Sequence, residues 1–228
     1  MKILILSPHI DDAFLSLGGF ISKYSKSHCI EVVNVFSFDP WVLEDFDTNN
    51  KLKNIMTRKV EESKNTELSK IKVKYLDLPA GWKERGYPSW QSPIDKEKDS
   101  KLIKILKKYV RTVSTSYDVT LAPLAIGGHI DHKLVRLIAS TVTSLEKIAF
   151  YEDLPYAFEN KFLKYGVGFI KQKKLRSVTL KLGTSDLRKK EKLVNTYKSQ
   201  LKKDFMDRIM SYTKRKGEVL WTQTKMLT

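Results

Sequence analysis

Apolar and polar positions follow two rhythms along this chain. The runs "KILILS" and "IEVVNVFSF" are β-branched and aliphatic without alternation, as expected of strands covered on both faces. Between them "DDAFLSLGGFISKYSKS" places Phe14, Leu15, Leu17, Ile21 and Tyr24 at helical spacing, with Asp11 or Asp12 positioned as N-cap. Strand, helix, strand implies parallel pairing through a right-handed crossover. The rhythm continues with a charged helix at "NIMTRKVEESKNTELSKI", a strand at "VKYLDL" and a Trp-, Gly- and Pro-rich loop, "PAGWKERGYPSWQSP". A helix at "KDSKLIKILKKYVRTVS", a strand at "DVTLAPL", a helix at "HIDHKLVRLIASTVTSL" and a strand at "KIAFYEDL" complete the alternation. Beyond about Pro155 the pattern predicts a strand at "RSVTLKL" and a helix over "SDLRKKEKLVNTYKSQL". The fold expected is a Rossmann-like, doubly wound α/β domain with a mostly parallel sheet, one domain over residues 1–228, ending in a basic extension from about residue 161.

Composition narrows the class. At 228 residues and 41% apolar content the chain can bury a sizeable core. A single cysteine, Cys29, excludes an internal disulfide and a thiolate metal cluster. The short N-terminal apolar run does not read as a secretory signal, and no run is long enough to span a membrane, so a cytoplasmic protein without a membrane partner is expected. The net charge of +16 raises the question of nucleic acid. Lysine far outnumbers arginine and is spread along the chain, whereas specific phosphate and base readers use bidentate arginine. The denser stretch "KQKKLRSVTLKLGTSDLRKKEKL" therefore reads as solvated surface, with a non-catalytic polyanion-binding protein as the alternative. Homo-oligomerisation is left open.

The candidate chemistry lies in two short clusters. "SPHIDD" follows the first strand and "GGHIDH" follows the strand "DVTLAPL". Ligands of open parallel sheets bind beyond the carboxyl ends of the strands. If these two strands are neighbours, His9, Asp11, Asp12, His129, Asp131 and His132 converge on one crevice. Imidazole and carboxylate together suit Zn²⁺, and a catalytic zinc uses three protein ligands and keeps one position open. The remaining groups could then act as base and acid. Two other readings are weaker. "HIDH" contains the His-x-Asp of iron oxygenases, but no histidine follows His132; Gly18 and Gly19 fall too late for a dinucleotide fingerprint and fit close helix packing instead.

These residues also carry a resemblance. "SPHIDDAFLSLGG" resembles the Pro-His-x-Asp-Asp motif of the LmbE/PIG-L family of zinc-dependent N-deacetylases, and "GGHIDHKLV" resembles that family's His-x-Asp-His motif. "TRKVEE" and "YEDLPYA" are similar to further stretches of the family, so the likeness covers about residues 1–160. The resemblance implies one Zn²⁺ held by His9, Asp12 and His132, with Asp11 as the general base taking a proton from the metal's water. It implies that His129, oriented by Asp131, stabilises the oxyanion and protonates the leaving amine, and that Arg58 reaches the substrate. A carboxylate partner would raise the pKa of that histidine. The substrate implied is a small molecule, an N-acetylated amino sugar or glycoside. Ala13 stands where members often carry an acidic residue, and Ala80-Gly81 where members show Asp-Gly, which leaves the metal and acid–base set intact. Trp82, Tyr87 and Trp90 either stack on a sugar or bury their own loop; the sequence leaves both open.

Overall fold

The computed structural model describes residues 1–224. Strands β1 (Lys2–Ser7), β2 (Cys29–Asn34) and β3 (Lys72–Tyr75) alternate with helices α1 (Asp12–Tyr24) and α2 (Lys51–Ser69). Helix α3 (Ser100–Ser114) leads to β4 (Val119–Pro123), α4 (Ile130–Val142) and β5 (Ile148–Tyr151). A 3₁₀ turn (Tyr156–Phe158) follows, then α5 (Asn160–Lys173), β6 (Arg176–Leu180), α6 (Thr184–Val194), α7 (Lys203–Lys216) and β7 (Glu218–Thr222). The seven strands form one sheet in the order β3-β2-β1-β4-β5-β7-β6. β1 through β5 are mutually parallel, and β7 runs antiparallel to both its neighbours. The expected mostly parallel, doubly wound sheet is present.

This strand order has one reversal. From β1 the chain winds outward through β2 and β3, then returns to place β4 on the other side of β1. The carboxyl ends of β1 and β4 therefore bound the switch point of the sheet. The core strands are as apolar as their sequence: Ile3, Leu4, Ile5 and Leu6 are fully buried, as are Leu121, Ala122 and Phe150.

The C-terminal part differs from expectation. It adds β7 and β6 to the sheet rather than trailing from it. Helix α5 escaped the sequence reading because Gly166 and Gly168 interrupt its pattern. The helix predicted over 185–201 ends at Val194, and residues 195–201 form turns instead, because Tyr197 and Ser199 turn inward to bond with α2. Within the stretch read as solvated surface, Lys190 is completely buried. Its ammonium lies 2.7 Å from Glu218, whose carboxylate also accepts the amides of Gly19 and Phe20 at 2.8 and 2.6 Å. Those two amides follow a kink in α1 at Leu17. Gly19 is where α1 and the segment before α6 touch, since a Cβ there would fall 2.1 Å from Leu182. The pair thus ties α1, α6 and β7 together. Burial lowers the pKa of Lys190, against the attraction of Glu218.

Removing one partner leaves a buried charge alone, which costs about 3–5 kcal/mol. Glu218→Ala is expected to lose stability of that order in urea unfolding, while the double variant Lys190→Met/Glu218→Gln loses clearly less.

Candidate metal centre

The site is built by two turns at the switch point. At the end of β1 the Ser7 hydroxyl donates to the His9 carbonyl at 2.7 Å and accepts the Ala13 amide at 3.0 Å, closing the turn across Pro8. The His9 amide donates to Asp12 Oδ2 at 2.9 Å, and the Asp11 carbonyl accepts the amide of Leu15 to begin α1. After β4 the chain passes through Ala125 and Gly128, both with positive φ, to His129 at the N-cap of α4. Gly127 admits no side chain, because a Cβ would lie 2.4 Å from the Tyr156 ring.

The turns bring the predicted residues together. The rings of His9 and His132 have centroids 5.3 Å apart. Asp12 Oδ2 lies 3.2 Å from His9 Nδ1 and 3.2 Å from His132 Nε2. Single donor atoms of His9, Asp12 and His132 all fall within 4.8 Å of one another. Each histidine is oriented from behind by a carboxylate. His132 Nδ1 bonds Asp153 Oδ1 at 2.6 Å, and His9 Nε2 bonds Asp131 Oδ2 at 2.9 Å. This is the carboxylate–histidine arrangement that directs a ring's second nitrogen at a metal. His132 Nε2 is buried and, beyond its 3.2 Å approach to Asp12, has no hydrogen-bond partner among the described residues, so the donor set fits a cation at this point. A second grouping, His9, His129 and Asp131, also has metal-compatible spacing. Its carboxylate is already used: Asp131 takes His9, the Gly81 amide at 2.9 Å and Arg85 at 2.7 Å. The first set is the better metal centre.

Electrostatics agree. Against burial, the Asp12 and Asp131 carboxylates raise His9, and Asp12 and Asp153 hold His132 at about 9. Asp12 and Asp131 are held well below the usual carboxylate range by these histidines, in spite of burial. Anions that favour an imidazolium favour a divalent cation in the same place. Asp11 behaves differently: burial and the neighbouring Asp12 charge raise it to about 6, partly offset by Arg58.

One pairing lies otherwise than expected. Asp131 does not orient His129 with its carboxylate, whose Oδ2 is 4.0 Å from His129 Nδ1. That nitrogen accepts the backbone amide of Asp131 instead, and burial lowers the pKa of His129 rather than raising it. Arg58 is only 2% exposed. Its guanidinium bonds Asp39 at 2.5 Å, lies 3.8 Å from Asp11 and lines the cleft. Asp39, Arg85 and Asp153 were missed in the sequence. Asp153 sits inside "YEDLPYA", where its position after a strand end was the available signal.

The centre opens into a cleft of about 630 Å³. Trp41, Leu43, Trp90, Tyr156, Leu201 and Phe205 give it apolar walls. The aromatic loop divides its work. Tyr87 is buried and donates to Asp99, whereas Trp90 stacks on Tyr156 at 5.6 Å and Trp82, 38% exposed, lines the cleft. Behind Arg58, helix α2 turns polar groups inward. Glu61 accepts the Ser199 amide and hydroxyl at 2.9 and 2.6 Å, and Glu62 accepts Asn34 at 3.0 Å and the Tyr197 hydroxyl.

Fold and centre together define a class: a doubly wound α/β protein with two histidines and one carboxylate at metal-compatible spacing beside its switch point. Residues 4–143 match the family described as PIG-L, GlcNAc-PI de-N-acetylase, and the chain belongs to that family. Over 170 residues it is 26% identical to a 2'-N-acetylparomamine deacetylase of Streptomyces fradiae, a match covering 68% of this chain and 58% of that protein. Among solved structures it is similar to a deacetylase of teicoplanin biosynthesis in complex with bog, with TM-score 0.77, 18% identity and 97% of each chain covered. It is also similar to GalB, the 4-carboxy-2-hydroxymuconate hydratase of Pseudomonas putida, with TM-score 0.65, 14% identity and coverage of 100% and 98%. One fold thus carries different reactions, and the reaction must be argued from the site.

Losing an orienting partner of a metal-bound histidine typically costs about 10- to 100-fold in metal affinity. Asp153→Asn is expected to weaken Zn²⁺ binding by that factor, read by competition with a chromophoric chelator. A second expectation concerns pH. Burial raises the Glu62 carboxyl to about 7, so the folded chain holds a proton that the unfolded chain releases. Stability from this group is therefore full below the unfolded glutamate pKa and lost as pH rises through about 7, by about 3 kcal/mol at most. Glu62→Gln should flatten the pH dependence of the melting temperature between about pH 5 and about pH 8.

Proposed function

We propose that the protein is a metal-dependent amidohydrolase that removes an N-acetyl group from an amino sugar or a glycoside containing one. The observation that carries this reading is the separation of roles in one cleft. His9, Asp12 and His132 form a donor set, while Asp11 and His129 stand beside it with no place in it. Family membership supports the acyl-amide substrate, as does the relative acting on 2'-N-acetylparomamine. Zn²⁺ is the metal proposed, because two imidazoles and a carboxylate with an open position suit it.

His9 Nδ1, Asp12 Oδ2 and His132 Nε2 would hold the ion. A divalent metal so held polarises an acyl oxygen and lowers the pKa of water toward neutrality. Asp11 takes the proton from the attacking water. Its carboxyl, raised to about 6 by burial, is ionised near neutrality yet basic enough to accept it. Arg58, anchored by Asp39, keeps that carboxylate in place without bonding it tightly, since the closest approach is 3.8 Å. His129 is neutral in its buried setting and accepts the Asp131 amide at Nδ1, so its proton resides on Nε2. From the cleft wall it can donate a hydrogen bond to the oxyanion, while the proton that Asp11 has taken from the water passes to the departing amine as its bond to the acyl carbon breaks. Trp82, Trp90 and Tyr156 offer faces on which a sugar ring can stack.

Asp11→Asn keeps the shape of the side chain but cannot accept a proton. Acetate release from N-acetylated sugars is expected to fall about 10²- to 10⁴-fold with bound zinc unchanged. Asp12→Asn should instead lose the metal. If Asp11→Asn keeps full activity, or if the zinc-loaded protein releases acetate from no N-acetyl sugar tested, the reading is wrong.

A further inference from the structure

Basic residues occur throughout the chain, but the carboxylates that balance them do not. Residues 1–159 contain 23 Lys and Arg against 21 Asp and Glu; residues 160–228 contain 19 against 5. Nearly all of the net +16 thus belongs to the last 69 residues. Within them, residues 160–185 hold seven basic side chains and no acidic one. That stretch forms α5 and the sheet's edge strand β6.

Helix α5 has two distinct sides. Its inner side is packed: Phe169 meets Phe150 edge-on at 4.9 Å and lies under Arg136 at 4.6 Å, and Tyr165 rests on Gly128, next to His129. Its outer side exposes Lys164, Lys171 and the open position Gly168. Among these cations sit two apolar side chains in contact with water, Leu163 at 36% and Val167 at 42%. They are four residues apart and so lie on one ridge. A helix with lysines around an exposed apolar ridge has the chemistry of an element that lies in a lipid headgroup layer.

We propose that the outer face of α5 docks the protein on an anionic lipid surface, with Leu163 and Val167 entering the headgroup region and the lysines meeting lipid phosphates. The composition favours lipid over nucleic acid. Phosphate backbones are gripped by cations alone, which leaves the apolar pair without a role, and the 160–185 stretch has one arginine, Arg176. Docking also has a geometric result. Helix α5 starts two residues after the turn that carries Tyr156 into the cleft wall, so the cleft is brought beside the bilayer.

The test is co-sedimentation of the zinc-loaded full chain with phosphatidylcholine vesicles, with and without phosphatidylglycerol. Binding is expected only to the anionic vesicles, and it should weaken as salt is raised. Lys164→Glu/Lys171→Glu should reduce vesicle binding at least about tenfold. Leu163→Ser/Val167→Ser should reduce it several-fold while leaving retention on heparin unchanged, because only a bilayer uses the apolar pair. All four positions are exposed, and circular dichroism verifies that each variant is folded. Three results would overturn the proposal: no binding to anionic vesicles at low salt, equal binding to neutral ones, or release of the vesicle-bound protein by duplex DNA or RNA with no effect of the Leu163/Val167 variant.

Discussion

The parallel pairing of β1 with β4 sets Ile3 beside Val119 and Ile5 beside Leu121, and the metal centre depends on that register. Adjacent strands lie about 4.8 Å apart, close enough for turns at their carboxyl ends to share side chains. The two turns do not simply meet; they brace each other. Asp131 from the second turn fixes the ring of His9 in the first, and Asp12 from the first lies against His132 in the second. Neither cluster holds its geometry without the other, so a register slip between β1 and β4 would dissolve the site as a whole.

Around this pair the protein arranges a graded environment. Carboxylates in the deepest positions, Asp12, Asp131 and Asp153, each have a histidine to offset their charge. Among the described residues Asp11 has no histidine so close; Arg58, at 3.8 Å, is the stronger and His9 the weaker of the cations that offset it. Two adjacent aspartates thereby have opposite tendencies, one held strongly acidic and one near neutrality. The difference is made by neighbours, not residue type.

The parts of this design legible in the sequence were those written as local patterns. Unbroken apolar runs marked the buried strands, and paired His and Asp residues at two strand ends marked the centre. What escaped was carried by contacts between distant positions. Arg85 reaches Asp131 across 46 residues and Asp153 reaches His132 across 21; an isolated charged residue in a loop carries no sign of such a partner. Lys190 misled for the same reason, being buried against Glu218 in a run that otherwise faces water. Turns 195–201 continue the polar pattern of α6, and only Glu61 and Glu62, more than 130 residues earlier, show why the helix stops.

That last attachment has a consequence for how the protein can change. The cleft wall from Gln200 to Phe205 hangs from α2 by two carboxylates gripping Ser199 and Tyr197, whereas the donors stand on the ends of paired strands. The wall and the donors therefore hang from different strands and turns, with α2 the element that touches both through Glu61, Glu62 and Arg58. So long as the two anchor points persist, the intervening and following side chains form an interchangeable cassette. Such a cassette can be rewritten to reshape the cleft without disturbing the His9, Asp12 and His132 donor set.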